Sequence, residues 1–309
     1  MTLHASVNGP VIYLDNWAFI ELAKNDPSRR KRFIDAVRSG ADVLFSVTNA
    51  AELSGPQGRS AEAVKTFLDE IGPRWFPAKL DPIDVIKLEM QGKDPGTVCM
   101  DERFFKSYIA DRIRNFVPGC GQVLDLSDDF FSLAPMMDRL SSQRESISET
   151  SAKFDEMLKN RMSIVRQRSK REPYFLDKNF PRIAFDPARP AFFVYQNLLR
   201  IIAVESNSLT KGDGMDFCHA VMGCAFASFT TLDTTWKRRI ASLPRPNGLA
   251  RIYSRTQLDR MVTDIEWAVS APAQASVFVL SQLIRKKLTG SIAPCRILES
   301  SARQHAARE

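Results

Sequence analysis

The sequence predicts an α/β protein with a parallel β-sheet, whose core is interrupted by a large, mostly helical insert and followed by further helices. Short apolar runs at residues 11–14, 43–47 and 226–232 have the length of strands and alternate with amphipathic helical segments. Strands that alternate with helices pair in parallel. The alternation stops near residue 73 and resumes near residue 192. The predicted parts are a first half of the core at 1–72, an insert at 73–191, a second half of the core at 192–255, and C-terminal helices with a tail at 256–309.

The first half of the core is predicted as a strand, two helices, a second strand and two more helices. After the strand at 11–14, a helix covers 17–23. The next helix is capped by Asp26, carries Pro27 in its first turn and is ended by Gly40. The remaining elements of this half are a strand at 43–47, a helix that starts near Asn49 and breaks at Gly55-Pro56, and an amphipathic helix at 60–71.

The insert is predicted to be mostly helical, and its longest helix covers 127–171 with an interruption near Pro135. Because this segment is strongly polar after Leu140, we expect it to project from the body or to lie along a partner. The insert could be a lid, a dimer arm or a docking site for a regulator. The other predicted elements are helices that start at Asp81-Pro82, at 101–116 and at 192–204, a helix near Asp213, a strand at 251–253, helices at 256–270 and 273–288, and a frayed tail from Ser300.

Composition is that of a globular protein and excludes several classes. The chain has 309 residues, of which 44% are hydrophobic and 26% are charged, and these are ordinary values. No stretch approaches the roughly 20 apolar residues that span a bilayer, and the N-terminus shows no secretory signal. The five cysteines form no CxxC pair, so we expect reduced thiols, and with only three histidines a zinc site is not expected. We therefore predict a cytoplasmic protein without a membrane partner.

Four carboxylates follow the predicted strands or lie one turn beyond them. Asp15 and Asp233 come directly after strands, and Glu52 is expected in the first turn of the helix after the second strand. Asp216 lies in the first turn of the helix that precedes the third strand. The carboxyl ends of parallel strands converge on one crevice, where four carboxylates would repel one another unless cations lay between them. Since Mg²⁺ and Mn²⁺ prefer oxygen ligands, the pattern predicts a metal-dependent hydrolase.

A further acid and a histidine accompany Asp216. Asp213 stands three residues earlier, at the position of a helix cap, and acids are favourable at a helix N-terminus. It is therefore either a structural cap or an additional acid of the site. We expect His219, one turn beyond Asp216, to be a packing residue. A haloacid-dehalogenase-type phosphatase needs a second aspartate two residues after the first, where this chain has Trp17.

Positive charge is concentrated in two segments. The net charge of +7 and the pI near 9.2 suit a polyanionic partner, although many unrelated proteins are as basic. The run at 159–171 contains six basic residues and no acid, and is either a solvated helix face or a nucleic-acid contact. The second segment, Lys237-Arg238-Arg239, follows Asp233. Trp236, directly before it, could stack on a base or belong to the core. The candidate nucleic-acid contacts are Trp236, Lys237, Arg238, Arg239, Arg166, Arg168, Lys170 and Arg171.

Four segments, in this order, resemble the PIN-like nuclease superfamily. They are IYLDNWAFIELA at 12–23, SVTNAAEL at 46–53, GDGMDFCHA at 212–220 and FTTLDTTWKR at 229–238. The resemblance implies a PIN-like three-layer core that binds one or two Mg²⁺ or Mn²⁺ ions. It implies hydrolysis of a phosphodiester by metal-activated water, leaving 5′-phosphate and 3′-hydroxyl ends. The metal ligands that it implies are Asp15, Glu52, Asp216 and Asp233, with Asp213 as an auxiliary acid.

The resemblance also implies supporting residues and a substrate. Asn16 follows the first aspartate directly, whereas many members carry this asparagine one residue further on. Thr231 fits the small hydroxyl residue that often precedes the fourth acid and could orient it. RNA is the commonest substrate of such proteins, and many bacterial ones are toxins or anti-phage effectors, so an endoribonuclease is expected. The alternatives are a nuclease acting on DNA, and a non-catalytic or partner-regulated PIN-like module that binds nucleic acid, a regulatory protein or a second copy through the insert.

Overall fold

The computed structural model describes residues 9–54, 58–94, 98–104, 108, 132–135, 137, 144–205, 208–244 and 246–270, with the backbone alone at 144–147 and 150. The strands within these ranges are β1 (Val11–Tyr13), β2 (Asp42–Ser46), β3 (Trp75–Ala78), β4 (Phe229–Thr231) and β5 (Arg251–Tyr253). The helices are α1 (Asn16–Lys24), α2 (Pro27–Arg38), α3 (Val47–Leu53), α4 (Arg59–Ile71), α5 (Pro82–Met90), α6 (Arg144–Arg171), α7 (Phe175–Asn179), α8 (Pro190–Val204), α9 (Asp213–Phe226), α10 (Thr234–Ala241) and α11 (Leu258–Ser270), with a 3₁₀ turn at Arg255–Gln257. The predicted α/β class is confirmed.

The strands of the described residues form one sheet, which is parallel throughout and has the order β3-β2-β1-β4-β5. Ile12 of β1 pairs with Val43 of β2 on one side and with Phe229 of β4 on the other. Along the chain, the sheet extends from β1 through β2 to β3 on one side, and from β4 to β5 on the other side. The two central strands therefore form a topological switch point, where the loops at the carboxyl ends diverge and leave a crevice.

Helices cover both faces of the sheet, because successive side chains of a strand point to opposite faces. In β1, Val11 and Tyr13 belong to one buried hydrophobic cluster and Ile12 belongs to the other. The cluster around Tyr13 is completed by α5, α6, α8, α9 and α10. The cluster around Ile12 is completed by α1, α2, α3, α4 and α11. The result is a layer of helices on each side of the sheet.

The strand β3 shows that the insert begins later in the chain than predicted. The sequence places the start of the insert at residue 73, whereas Trp75–Ala78 pairs with β2 and belongs to the sheet. The strand is short and contains Pro77, which is unusual in the centre of a sheet but tolerated at an edge, where one side needs no backbone donor. In the described part of the sheet β3 is an edge strand. The first half of the core therefore extends at least to Ala78.

The long helix α6 packs against the core, and the expectation that it projects or lies along a partner is wrong for its described part. Leu158, Met162 and Val165 are buried and recur at helical spacing on one face. This face packs against α8 and α9. Most of the polar residues that suggested a projecting helix occupy its other faces. The predicted helix at 273–288, the tail and most of the predicted helix at 101–116 lie outside the described residues.

Several local signals in the sequence are confirmed. The carboxylate of Asp26 accepts a hydrogen bond from the backbone N–H of Arg29 at 3.0 Å, and that of Asp81 accepts one from Ile83 at 2.8 Å, so both cap their helices. The segment at 251–253 is the edge strand β5. Among the helices described, none has the length and apolar character needed to cross a membrane.

Gly223 marks a close approach of α9 to the sheet. A Cβ at this position would lie 2.4 Å from Oγ1 of Thr230 and 2.8 Å from Cδ1 of Tyr13, and both of these side chains are fully buried. We expect Gly223→Ala to lower the free energy of unfolding by about 1–2 kcal/mol, because overpacking outweighs the gain of about 1 kcal/mol in helix propensity. Urea denaturation would measure the change. An equal or more stable variant would contradict this packing.

Candidate functional site

Four acidic side chains meet at the carboxyl end of the sheet. Asp15 follows β1, Asp216 lies in the first turn of α9, and Asp233 is the N-cap residue of α10, directly beyond β4 and Leu232. The helix after β2 starts at Val47, earlier than expected, so Glu52 lies in the second turn of α3 rather than the first. Electrostatic repulsion links Asp15 to Glu52 and Asp233, and links Asp216 to Asp15, Glu52 and Asp233. The sequence prediction that these acids converge agrees with this arrangement.

Burial and mutual repulsion make three of these acids weak. Burial, followed by the charges of Glu52 and Asp233, raises the pKa of Asp15 from 3.8 to about 7. Burial, followed by the charges of Asp15, Asp233 and Asp213, raises the pKa of Asp216 from 3.8 to about 7. Desolvation and the charge of Asp216 raise the pKa of Glu52 from 4.5 to about 7. Glu52 is an exposed residue, so water screens its charge more than the charges of the two aspartates.

The donor set has the chemistry of a Mg²⁺ or Mn²⁺ site, but it is not a closed cage. All four side chains offer carboxylate oxygens, which these ions prefer. In the described part of the chain, no group of three or more His, Cys, Asp and Glu side chains is arranged so that it could already hold a metal ion. Glu52 and Asp233 are the two exposed members of this set.

Two asparagines support Glu52, and the sequence pattern revealed the role of neither. The side-chain amide of Asn16 donates to the Glu52 carboxylate, and its oxygen accepts from Nδ2 of Asn49 at 3.2 Å. The Oδ1 atom of Asn49 accepts from the backbone N–H of Ser46 at 3.0 Å, and the Ser46 hydroxyl accepts from the Asn49 N–H at 3.1 Å. This capping box fixes the start of α3, and the amide of Asn49 links it to Asn16, which follows β1 and Asp15. Ser46 followed three residues later by Asn49 was the available sequence signal.

Loss of Asn49 should destabilise the crevice. This residue is fully buried, and its amide also donates to the carbonyl of Leu14 at 3.3 Å. We expect Asn49→Ala to lower the free energy of unfolding by about 2 kcal/mol, because the buried N–H of Ser46 loses its acceptor. Asn25→Ala, on an exposed helix end, is the matched control for chemical denaturation. Equal stability of the two variants would contradict a structural role for Asn49.

Thr231 supports the first acid rather than the fourth. Its hydroxyl accepts a hydrogen bond from the backbone N–H of Asp15 at 2.8 Å. The expectation that Thr231 orients Asp233 finds no matching hydrogen bond in the described residues. Asp233 is instead oriented by its own helix, because its Oδ1 atom accepts from the backbone N–H of Trp236 at 2.7 Å.

Asp213 belongs to a buried ion-pair network beside the crevice. The N-cap position of α9 is Gly212 and Asp213 is the first helical residue, so it is not the cap. One carboxylate oxygen of Asp213 accepts from the hydroxyl of Thr210 at 2.8 Å, and the other lies 3.6 Å from the guanidinium of Arg239. Arg239 also pairs with Glu205 at 2.8 Å. A protein cation therefore balances Asp213, whereas the four converging acids form no ion pair with any described residue.

Two of the expected nucleic-acid contacts are buried, which contradicts their assignment. Trp236 is 1% exposed and Arg239 is 4% exposed. The Arg239 guanidinium lies over the Trp236 ring, 4.5 Å from its centroid. The indole N–H of Trp236 faces Asp216 and partly offsets the rise in its pKa, although no hydrogen bond of normal geometry joins them in the described residues. Trp236 therefore lines the site from the inside and cannot stack on a base at the surface.

The other basic candidates differ in their accessibility. Arg238 is exposed on α10, while Lys237 is partly buried and its amine donates to the side chain of Gln257. On α6, Arg166 is partly buried and donates to the carbonyl of Ile202 at 2.7 Å. The exposed ones on that helix are Arg168, Lys170 and Arg171.

His219 is a packing residue, as expected. It is buried, and its Nδ1 atom lies 2.5 Å from the hydroxyl of Tyr13 in a shared hydrogen bond. Burial lowers the pKa of His219 to about 4, so the imidazole is neutral at physiological pH. It therefore supplies no positive charge to the four acids.

Comparison with known proteins gives no match. No protein-family model matches the chain, and no curated protein or solved structure is significantly similar to it. Any functional assignment therefore depends on the fold and on the chemistry of the crevice.

Proposed function

We propose that this chain is a metal-dependent nuclease of the PIN-like type and, more specifically, an endoribonuclease. The observation that supports the proposal is the convergence of Asp15, Glu52, Asp216 and Asp233 at the topological switch point of a parallel sheet. Repelling carboxylates in a partly desolvated crevice are unfavourable unless a cation joins them. The order and context of the four acids are those that the resemblance to PIN-like nucleases implies.

The residues proposed to hold Mg²⁺ or Mn²⁺ are these four acids. A bound divalent cation would lower the pKa of a water molecule and stabilise negative charge on a phosphodiester. The protein's own contribution is to hold the oxygens in place. The backbone of Asp15 is fixed by Thr231, the carboxylate of Glu52 by Asn16, and that of Asp233 by the first turn of α10. Asp213 is proposed as an auxiliary acid whose charge Arg239 already balances.

A polyanionic substrate suits the charge of the chain, which is +7. Arg238 is the exposed cation closest in sequence to Asp233, and it follows the acid by little more than one helical turn. RNA is proposed over DNA on the resemblance alone, as is a role as a toxin or anti-phage effector. We propose that the protein acts in the cytoplasm.

The proposal is tested by a cleavage assay on the purified protein. Labelled single-stranded RNA, structured RNA and single-stranded DNA are each incubated with Mg²⁺, Mn²⁺ or EDTA. We expect cleavage of RNA that requires a divalent cation and leaves 5′-phosphate and 3′-hydroxyl ends. Asp35→Asn, an exposed change on α2, serves as a control that should cleave like the wild type. Failure to cleave any substrate, together with failure to bind Mn²⁺, would contradict the proposal.

Charge reversal of Arg238 should weaken substrate binding more than chemistry. We expect Arg238→Glu to raise the KM for RNA several-fold and to make the dependence of KM on salt less steep, since a phosphate contact is lost. The matched control is Arg38→Glu, which makes the same charge change at an exposed position of α2. If both variants shift KM equally, the effect is one of net charge and the assignment of Arg238 is wrong.

A second candidate function is a non-catalytic or partner-regulated module that binds nucleic acid or protein. One observation favours it, namely that Arg168, Lys170 and Arg171 leave an exposed basic surface at the end of α6. In this case a regulatory partner or a second copy would bind through the helices between β3 and β4. Such binding would either complete the metal site or be the function of the chain in place of catalysis. Mn²⁺ binding without cleavage would support a regulated enzyme, and neither binding nor cleavage would support the module.

A further inference from the structure

The N-terminus of α9, which carries Asp216, is capped by a residue of another helix. The N-cap position is Gly212, which has no side chain to accept the free N–H groups of the first turn. Asp155 of α6 takes this role from outside. Its Oδ2 atom accepts from the N–H of Gly212 and its Oδ1 atom accepts from the N–H of Gly214, both at 2.8 Å. A carboxylate placed there also interacts favourably with the helix dipole.

The junction between α6 and α9 is tight as well as hydrogen-bonded. Asp155 is 6% exposed. A Cβ on Gly214 would lie 2.5 Å from the backbone nitrogen of Asp155 and from the carbonyl carbon of Phe154. Only glycine allows the two backbones to approach this closely. The same turn holds Asp216, whose N–H donates to the carbonyl of Gly212 at 3.0 Å.

We propose that Asp155 is a positioning residue for the candidate metal site, and that through it α6 determines where Asp216 lies. The inference rests on the proposed function and deepens it. Movement of α6 away from α9 would release the first turn of α9 and displace one of the four carboxylates. The helices between β3 and β4 are therefore part of the machinery of the site, and a partner that bound α6 would alter cation affinity without touching the crevice.

Glu89 provides a matched control within the same chain. It lies in α5, is 2% exposed, and accepts from the N–H groups of Ala191 and Phe192, both at 2.9 Å. It thus caps α8 from outside in the same way that Asp155 caps α9. The first turn of α8 carries none of the candidate site residues. Loss of either cap should cost similar stability, but only the loss of Asp155 should affect the site.

The test compares Asp155→Asn with Glu89→Gln in the full-length protein. Mn²⁺ affinity is measured by calorimetry and by the Mn²⁺ concentration that gives half-maximal RNA cleavage. We expect both variants to lower the Tm by about 2–4 °C. Only Asp155→Asn should weaken Mn²⁺ binding, by about tenfold, as is typical of residues one step beyond the ligands. Unchanged Mn²⁺ affinity in Asp155→Asn, with an active wild type, would overturn the positioning role and leave the proposed function standing.

Gly214→Ala is a second variant that changes no charge and removes no donor. Its methyl group should push α6 and α9 apart at Phe154, and we expect Mn²⁺ affinity to fall in the same direction as in Asp155→Asn. Full Mn²⁺ affinity in a folded Gly214→Ala would also overturn the positioning role. A wild type that neither binds Mn²⁺ nor cleaves RNA would overturn the proposed function and the positioning role together.

Discussion

Asp15→Asn is expected to abolish divalent-cation-dependent cleavage while the protein remains folded. The cleavage rate should fall at least about a hundredfold. Loss of a residue that only hydrogen-bonds to a metal ligand costs up to about this factor, and Asp15 is proposed as a ligand itself. Asparagine keeps the shape of the side chain but removes the charge that a cation needs. The backbone contacts of residue 15 do not depend on the carboxylate, because its N–H donates to Thr231 and its carbonyl accepts from Ala18 at 2.9 Å.

Stability should distinguish a lost ligand from a damaged fold. The Asp15 side chain makes no capping hydrogen bond to α1, so its replacement should leave that helix intact. At pH 8 without divalent cations, Asp15→Asn should be more stable than the wild type, since one member of a repelling group is gone. Asp233→Asn should show the same loss of cleavage, because asparagine can still cap α10. Cleavage at the wild-type rate by a folded Asp15→Asn would show that the site is assigned incorrectly.

Without divalent cations, the free energy of unfolding is expected to fall as the pH rises from 5 to 8. Burial and neighbouring charges raise the pKa of Asp15 from 3.8 to about 7, and that of Asp216 likewise. A carboxyl whose pKa is higher in the folded state binds its proton more tightly when folded. Its contribution is fully present below the unfolded pKa and is lost as the pH rises through the folded pKa. For Asp15 alone, the difference between the two pKa values corresponds to about 4 kcal/mol in total, of which about 3 kcal/mol is lost between pH 5 and 8.

The loss for the whole site should be smaller than the sum over its members, because the acids titrate as a coupled group. The experiment is a series of Tm measurements at pH 5, 6, 7 and 8, in EDTA and in Mn²⁺. At pH 8, Mn²⁺ at about 100 times its dissociation constant should add about 2.7 kcal/mol. The gain should be smaller at pH 5, where protons compete for the same oxygens. A Tm that rises from pH 5 to 8 in EDTA, or that ignores Mn²⁺ at pH 8, would contradict the site.

Local patterns predicted the central part of the fold. The apolar runs that form β1, β2 and β4 are buried on both faces, and such strands are visible as continuous apolar segments. The acids that follow them could be placed from the rule that parallel strands end at one edge. β3 escaped prediction because it is a four-residue edge strand with a proline, and neither its length nor its composition separates it from a loop.

Long-range contacts account for what the sequence did not predict about the site. Trp236 and Arg239 follow an acid in a short basic helix and look like surface residues, but Glu205 and Asp213 draw the guanidinium into the interior. Asp155 is one acid among many polar residues of α6. Its partners, Gly212 and Gly214, stand far along the chain, so no local periodicity indicates the pairing.

The sheet order β3-β2-β1-β4-β5 places β1 beside β4, although the residues between Tyr13 and Phe229 separate these two strands in the chain. The strand β1 is complete before residue 15, yet its neighbour β4 begins only at Phe229. At about 5–20 residues per second, roughly ten to forty seconds of synthesis separate the two strands. Before β4 has been synthesised, Asp216 and Asp233 cannot take their places beside Asp15. The four proposed metal ligands are therefore complete only once residue 233 has been synthesised, and we expect the nascent chain to lack the proposed cleavage activity before that point.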